Sequence, residues 1–592
     1  MTDRIVKFRP ALLIALIAFA AIALLAFASL FIIASPSLDI KFAGRVPLNG
    51  AVAQGEIYKE LTAWRCSNSD GPFYLICRLR WLYEIPRQLV EDRIQVDRLM
   101  YLAFTPFIAA LVAFFETYIR TPPVEMVIVK MGRRVLFDEY ARRAIQRFIR
   151  GLGGASKNGL WLLPNVQLSR SQEARNVILV GTQGSGKTGL MRAYITQLVA
   201  RIGLTFILDI KGDMVAGLPV DQFVLIAAHD ARTWELDLGG EIQGRQIAVE
   251  FATKSIKGSK HDPMWAPAAR SILADLAMVL RARNGEDWSW KELRDLALSS
   301  PANIRSALAE IKAPSAGLIT FGDDPDDNRT VMSILITLWV AILTTIHPLA
   351  EAFADIPQER RFTVKTWMQG AELPRALIFQ KSADFPELST LLGSFLAERI
   401  AAAALSPSRR AAKALPLAML LDEFSEVPID RLDELLSLGR ECNVMTVGAL
   451  QGLHQLKSLV DANKASTIEE RFGIRLVLRL EPGDTTKRIS ETWLGERRIS
   501  RIRDATAEEL KNGITKPRET VKEPVIPAEV LTDELGVRQT SYGLTIRLLV
   551  SGFSSVGIVD VPLTTWSDRR EAHVPAAWLY ARYLHRHSSE SL

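Results

Sequence analysis

One short segment narrows what this chain can be more than any other. Gly181-Thr182-Gln183-Gly184-Ser185-Gly186-Lys187-Thr188 fits the pattern G-x-x-x-x-G-K-[ST]. The apolar run NVILV (176–180) before it reads as a short buried strand. The stretch LMRAYITQLVARI (190–202) after it reads as an amphipathic helix. Between a strand and a helix, such glycines let backbone N–H groups turn inward around phosphate oxygens, and the helix N-terminus adds its dipole. The spacing predicts that Gly181, Thr182, Gln183, Gly184, Ser185, Gly186, Lys187, Thr188 and Gly189 line an ATP site. Lys187 is expected to hold the β- and γ-phosphates and Thr188 to ligate Mg2+.

The rest of the soluble chain alternates strand-like and helical pieces, the signature of a parallel α/β sheet. LTFILDI (204–210), RALIFQ (375–380), LPLAMLLDEF (415–424), NVMTVGALQ (443–451) and IRLVLRL (474–480) read as buried strands, and YGLTIRLLV (542–550) as a further one. Residues 262–355 break the alternation with consecutive helical stretches. The expected fold class is therefore α/β: a RecA-like P-loop NTPase domain with an all-α insertion domain, preceded by two transmembrane helices.

The spans rest on composition. Residues 10–38 carry no charge, and a bilayer crossing needs about 20 apolar residues. A secretory signal has an apolar core of only about 7–15 residues. A second apolar run, LMYLAFTPFIAALVAFF, covers 99–115 and reaches roughly 25 Å as a helix. Arg4, Lys7 and Arg9 precede the first run; Arg120, Lys130, Arg133, Arg134, Arg142 and Arg143 follow the second. The positive-inside rule puts both termini in the cytoplasm, in a bacterial inner membrane. The expected segments are a cytoplasmic N-terminus (1–9), spans at 10–35 and 99–119, a periplasmic loop (36–98) and a neck (120–165). Then come the NTPase domain in two parts (166–261 and 356–575), the insertion (262–355) and a polar tail (576–592). Cys66 and Cys77 share the periplasmic loop, where they are either a disulfide or two separate thiols; Cys442 stands alone in the body. The net charge of +6 leans toward polyanions or anionic lipid.

A second chemical signal is Asp422-Glu423 at the end of the apolar run Ala418–Leu421. If that strand runs as a parallel neighbour of the P-loop strand, Asp422 comes near the metal and Glu423 near the attacking water. Paired acids at a strand end also occur as solvated turn residues. Gln451 ends the following strand, where an amide can sense a γ-phosphate or position water. Arg440 precedes that strand, either as an arginine finger reaching a neighbouring subunit or as a solvated surface residue. Asp209, Lys211 and Asp213 crown the strand at 204–210, near the nucleotide, at a subunit contact, or in a plain turn. His585-Arg586-His587 lies in the polar tail and carries no metal-site context.

With these residues in view the chain resembles the type IV secretion coupling proteins of the TraD/TraG kind used in conjugation. The resemblance is carried by the two spans, GTQGSGKT, LDIKGDM, DPMWAPAAR, LLDEFSEVPIDRLDELLSLGRECNVMTVGALQGLHQLK and IRLVLRLEPGDTTKRISETWLG. AAHDARTWELD departs from the family's N-P-x-D segment, and no long acidic tail follows. The resemblance implies a homohexameric ring on the inner membrane, with the insertion at its cytoplasmic entrance. ATP hydrolysis would move single-stranded DNA with its attached relaxase into the secretion channel. Two other readings share these motifs: a docking receptor for protein effectors, and an FtsK-like double-stranded DNA translocase.

Overall fold

The computed structural model describes residues 16–24, 106–116, 127–152, 159–258, 264–322, 325–370, 373–407, 409, 414–512, 517–541 and 543–580. The described residues form two compact units, Met1–Ile128 with Ser500–Glu519, and Val129–Ile499 with Thr520–Leu592. In the first unit, residues 16–24 and 106–116 are helical, and the rings of Phe19 and Phe107 meet edge-on at 4.9 Å. The remainder of both expected spans, Cys66, Cys77 and the His585-Arg586-His587 tail lie outside the described residues.

The second unit is built on an 11-stranded sheet. Its strands are β1 (Val135–Phe137), β2 (Val177–Val180), β3 (Leu204–Asp209), β4 (Val224–Ile226), β5 (Ala376–Gln380) and β6 (Leu417–Leu421), then β7 (Val444–Leu450), β8 (Ile474–Val477), β9 (Gly536–Thr540), β10 (Gly543–Ser551) and β11 (Val556–Pro562). The order across the sheet is β1-β11-β10-β8-β2-β7-β6-β3-β5-β4, with β9 paired to β10. From β8 to β4 all pairings are parallel; β10 is antiparallel to both β8 and β11.

Both faces of the parallel part are covered. Ile178 and Val180 of β2 enter the core on one face, Val177 and Leu179 on the other. A strand buried on both sides has no polar face, which is why it reads in sequence as an unbroken apolar run.

The chain between β4 and β5 is mostly helical. It includes α1 (Trp265–Asn284), α2 (Trp290–Ala297), α3 (Pro301–Glu310) and α4 (Pro325–Ala341). Local chemistry sets their starts: Ser289 and Glu292 form a capping box ahead of α2, and Ser300 caps α3 with Pro301 in its first turn. These helices do not form a detached body. Leu276, Trp290 and Leu335 share one buried cluster with Ile178, Phe206 and Phe379 of the sheet. Phe251 links the two regions, edge-on to Trp290 at 5.7 Å and to Phe395 at 5.1 Å. Asn328–Ala352, within this region, is the one helix among the described residues long and apolar enough to cross a membrane, and 39% of its apolar window is buried. Its inner face packs as part of this core, through Leu335, Leu338 and Ile342.

One expectation needs correcting. The strand ending in Asp422 is not the immediate neighbour of the P-loop strand. β7 lies between them, pairing with β2 on one side and β6 on the other. Apolar strands of similar length carry no local information about which of them are adjacent. Gln451 directly follows the intervening strand, so that residue stands between the P-loop and the acidic pair.

Candidate nucleotide site

The parallel strands end together along one edge of the sheet, the usual place for a ligand crevice in such sheets. The segment after β2 hangs from its neighbours there. Gly181 N–H donates to the Leu450 carbonyl at 3.1 Å, and Thr182 N–H to the Arg479 carbonyl at 2.9 Å. The segment then enters the helix Lys187–Val199 through Gly186, whose φ of +105° is a left-handed conformation suited to glycine. A Cβ on Gly186 would lie 2.9 Å from Ile546, and one on Gly189 would lie 2.4 Å from Leu563. The C-terminal part of the chain therefore presses directly on the turn.

Lys187 is buried and folds back on its own loop, donating to the carbonyls of Gly181 and of Thr182, the latter at 3.0 Å. Burial, then the nearby Lys211 charge, push its ammonium down to about 8, against the pull of Glu423 and Asp422. A cation held this way is ready to exchange carbonyl oxygens for phosphate oxygens. Thr188 follows it, half-buried; Gln183 and Gly184 are exposed at the tip.

Asp422 leaves β6 with its N–H donating to the Leu208 carbonyl at 3.3 Å. It is 1% exposed, and neither carboxylate oxygen has a hydrogen-bond partner. Burial first, then Glu423 and Asp213, push its carboxyl up to about 6, while Lys211 and Lys187 oppose the shift. Buried carboxylates are normally hydrogen-bonded, and an orphaned one is where a divalent cation or its waters fit.

Glu423 takes a left-handed φ of +43°, a conformation costing about 1–3 kcal/mol in a non-glycine residue. Its side chain meets a pair of donors. Its Oε1 accepts from Gln451 Nε2 at 2.8 Å and from Lys211 Nζ at 3.0 Å. Burial works against its charge, but the hydrogen bonds from Gln451 and Lys211 and the fields of both lysines hold the carboxyl below the usual range.

The other residues predicted for the site divide. Asp209 is fully buried and accepts from the N–H groups of Gly212 (2.8 Å) and Met214 (3.0 Å), so it shapes the turn that carries Lys211. Burial, then Asp213, push its carboxyl up to about 7. Asp213 lies 3.6 Å from Arg192. Arg440 is exposed at the opposite edge of the sheet, in the turn before β7, beside a cavity also lined by Arg170, Arg201 and Pro416. Within one chain it does not join Lys187.

Sequence reasoning missed a further layer. The segment after β11 crosses the outside of the site. Trp566 Nε1 donates to Thr196 Oγ1 at 3.0 Å, and the Arg192 guanidinium lies over the Trp566 ring. Arg570 donates to the carbonyls of Val215, Leu218 and Val220 at 2.8–3.2 Å. No local pattern marks these residues, because each acts on a partner far away in the chain.

A sequence-family model described as the type IV secretion-system coupling protein DNA-binding domain matches residues 161–548. Among curated proteins, coupling protein TraD of Escherichia coli (strain K12) is 25% identical over 333 residues, 52% of this chain and 44% of that protein. The chain thus spans under half the length of the curated relative it matches. Among solved structures, the unbound monoclinic form of the bacterial conjugative coupling protein TrwBdeltaN70 aligns with a TM-score of 0.60 at 19% identity, covering 76% of this chain and 97% of that one. TrwB in complex with ADP and Mg2+ gives 0.59 at 19% identity, covering 76% and 98%. At that identity the likeness is one of fold. The family match covers both the phosphate-binding turn and the acidic pair, and the chain belongs to the type IV secretion-system coupling proteins.

Proposed function

We propose that this chain binds ATP with Mg2+ at the end of β2 and hydrolyses it to drive single-stranded DNA, with an attached relaxase, into a type IV secretion channel. One observation carries the nucleotide reading: a buried Asp422 whose two oxygens lack partners, beside a glycine turn that leaves its lysine on its own carbonyls. TrwB has been solved with ADP and Mg2+ and with a non-hydrolysable ATP analogue, and it shares this fold.

In this reading Lys187 leaves the Gly181 and Thr182 carbonyls for the β- and γ-phosphates. The Thr188 hydroxyl and the Asp422 carboxylate would hold Mg2+, which when bound would supply positive charge beside the phosphate oxygens. Glu423 takes the proton of the attacking water, whose oxygen bonds to the γ-phosphorus as the bond to the ADP oxygen breaks. Gln451 fixes the orientation of Glu423. Arg440, too far to act in its own chain, reaches the nucleotide of the next protomer in a homohexamer, where its charge acts mainly on the transition state.

The cargo is tested with the full chain in lipid nanodiscs. Single-stranded DNA at low salt should raise ATP turnover several-fold, and added salt should erase the gain, because phosphate contacts release counterions. Turnover that ignores DNA at every salt concentration would favour the protein-effector receptor. A response to duplex DNA alone would favour the double-stranded translocase.

We also propose that residues 10–35 and 99–119 span the inner membrane, with the main unit cytoplasmic and secretion-channel components as partners there. The charge-free run at 10–38 and the basic residues flanking both segments support this. A reporter inserted near residue 70 should read periplasmic while one after Leu592 reads cytoplasmic. A cytoplasmic signal at the first position overturns the two-span arrangement.

A further inference from the structure

Glu423, the residue assigned to take the water's proton, is already engaged. Its Oε1 accepts from two donors at once, Gln451 at 2.8 Å and Lys211 at 3.0 Å. An oxygen that already accepts two hydrogen bonds has no lone pair left for a water's hydrogen, so this geometry holds Oε1 out of the reaction. Lys211 is not a passive surface residue. Its side chain is one-third exposed, it follows β3 on the turn that Asp209 shapes, and it is close enough to Lys187 to perturb its charge. Asp422 and Asp213 lie within electrostatic reach of the same ammonium. The turn thus places a second lysine on Glu423, within electrostatic range of Lys187. Its present partner is a carboxylate, with one negative charge. A terminal phosphate offers more charge and more acceptor oxygens.

We propose that Lys211 is a positioning residue that latches Glu423 in the nucleotide-free state and transfers to the γ-phosphate when ATP binds, releasing the carboxylate for catalysis. The proposal rests on the ATP-hydrolysis reading above. Two things follow. Lys211 distinguishes ATP from ADP, because only ATP carries the phosphate that replaces Glu423 as its partner. Premature activation of water is also suppressed, because Glu423 is freed only when the group to be attacked is in place. Gln451 does not leave, so the freed carboxylate keeps its orientation.

The test measures binding as well as turnover. The full chain in nanodiscs is titrated calorimetrically with ADP and with a non-hydrolysable ATP analogue. A charge-assisted hydrogen bond corresponds to about a tenfold or larger change in affinity. Lys211→Met should therefore lower the preference for the analogue over ADP by about tenfold or more, leave ADP affinity close to wild type, and reduce kcat. Lys211→Arg should restore part of the preference. Glu423→Gln, which weakens the latch, should tighten analogue binding several-fold, and this gain should vanish when Lys211→Met is also present. An unchanged preference in Lys211→Met, an equal loss for both nucleotides, or a Glu423→Gln gain that survives without Lys211 overturns the latch. Should Lys211→Met fold poorly by thermal melting, Lys211→Gln provides the same comparison. A wild-type chain that binds neither nucleotide removes the hydrolysis reading itself. Wild-type binding and turnover with an indifferent Lys211 removes only the latch.

Discussion

A Lys187→Ala chain is expected to lose ATP turnover by about 10²–10³-fold, the scale associated with removing one preorganised group that stabilises developing charge. Nucleotide affinity should fall with it, because the lysine faces phosphate in the ground state as well. The fold should persist. The lysine's present partners are carbonyls of its own loop, and the loop remains tied to β7 and β8 through Gly181 and Thr182. Thermal melting and binding of a fluorescent ATP analogue check both halves; wild-type affinity in the variant would remove Lys187 from the site. The same variant tests the subunit boundary. Mixed with Arg440→Ala protomers, it should restore part of the activity that neither variant has alone, since an intact arginine then meets an intact P-loop. If both variants assemble together and no rescue appears, Arg440 does not act across the boundary.

Glu423→Gln is expected to separate binding from chemistry. The amide matches the carboxylate in shape but is no base, and loss of general-base catalysis costs about 10²–10⁴-fold. ATP should remain bound, because Lys187, Thr188 and Asp422 are untouched. Single-turnover measurements should then show nucleotide accumulating without cleavage. Ordinary turnover would mean that another group receives the water's proton.

The features that were legible in the sequence are those whose chemistry is local. The glycine turn announces itself because its backbone conformation, its lysine and its flanking strand and helix occupy one short stretch. Asp422 and Glu423 stand out as charged residues closing an apolar run; that the first is a buried orphan is visible only in the structure. What the sequence could not supply was adjacency. Nothing in VMTVGAL or LAMLL says which strand lies beside β2, so the position of Gln451 between the P-loop and Glu423 became visible only with the sheet order. The same holds for Lys211. LDIKGDM reads equally well as a turn or as a site; in the structure Asp209 shapes the turn while Lys211 pairs with Glu423. Of the antiparallel edge only β10 was legible, as YGLTIRLLV; β9 and β11 are partly polar, with Arg538 bound to Asp560, so no long apolar run marks them.

The contacts of Ile546 with Gly186 and of Leu563 with Gly189 bear on how the protein is made. The phosphate-binding segment is translated well before two of the side chains that hold its glycines in place, which lie much further along the chain. At ordinary rates of synthesis the interval is on the order of tens of seconds. For much of that time β2 also lacks β7 and β8, from whose ends the loop is suspended. A nascent chain therefore carries the P-loop sequence without the completed cradle. The turn acquires its full set of supports only once β10 and the segment after β11 have been made.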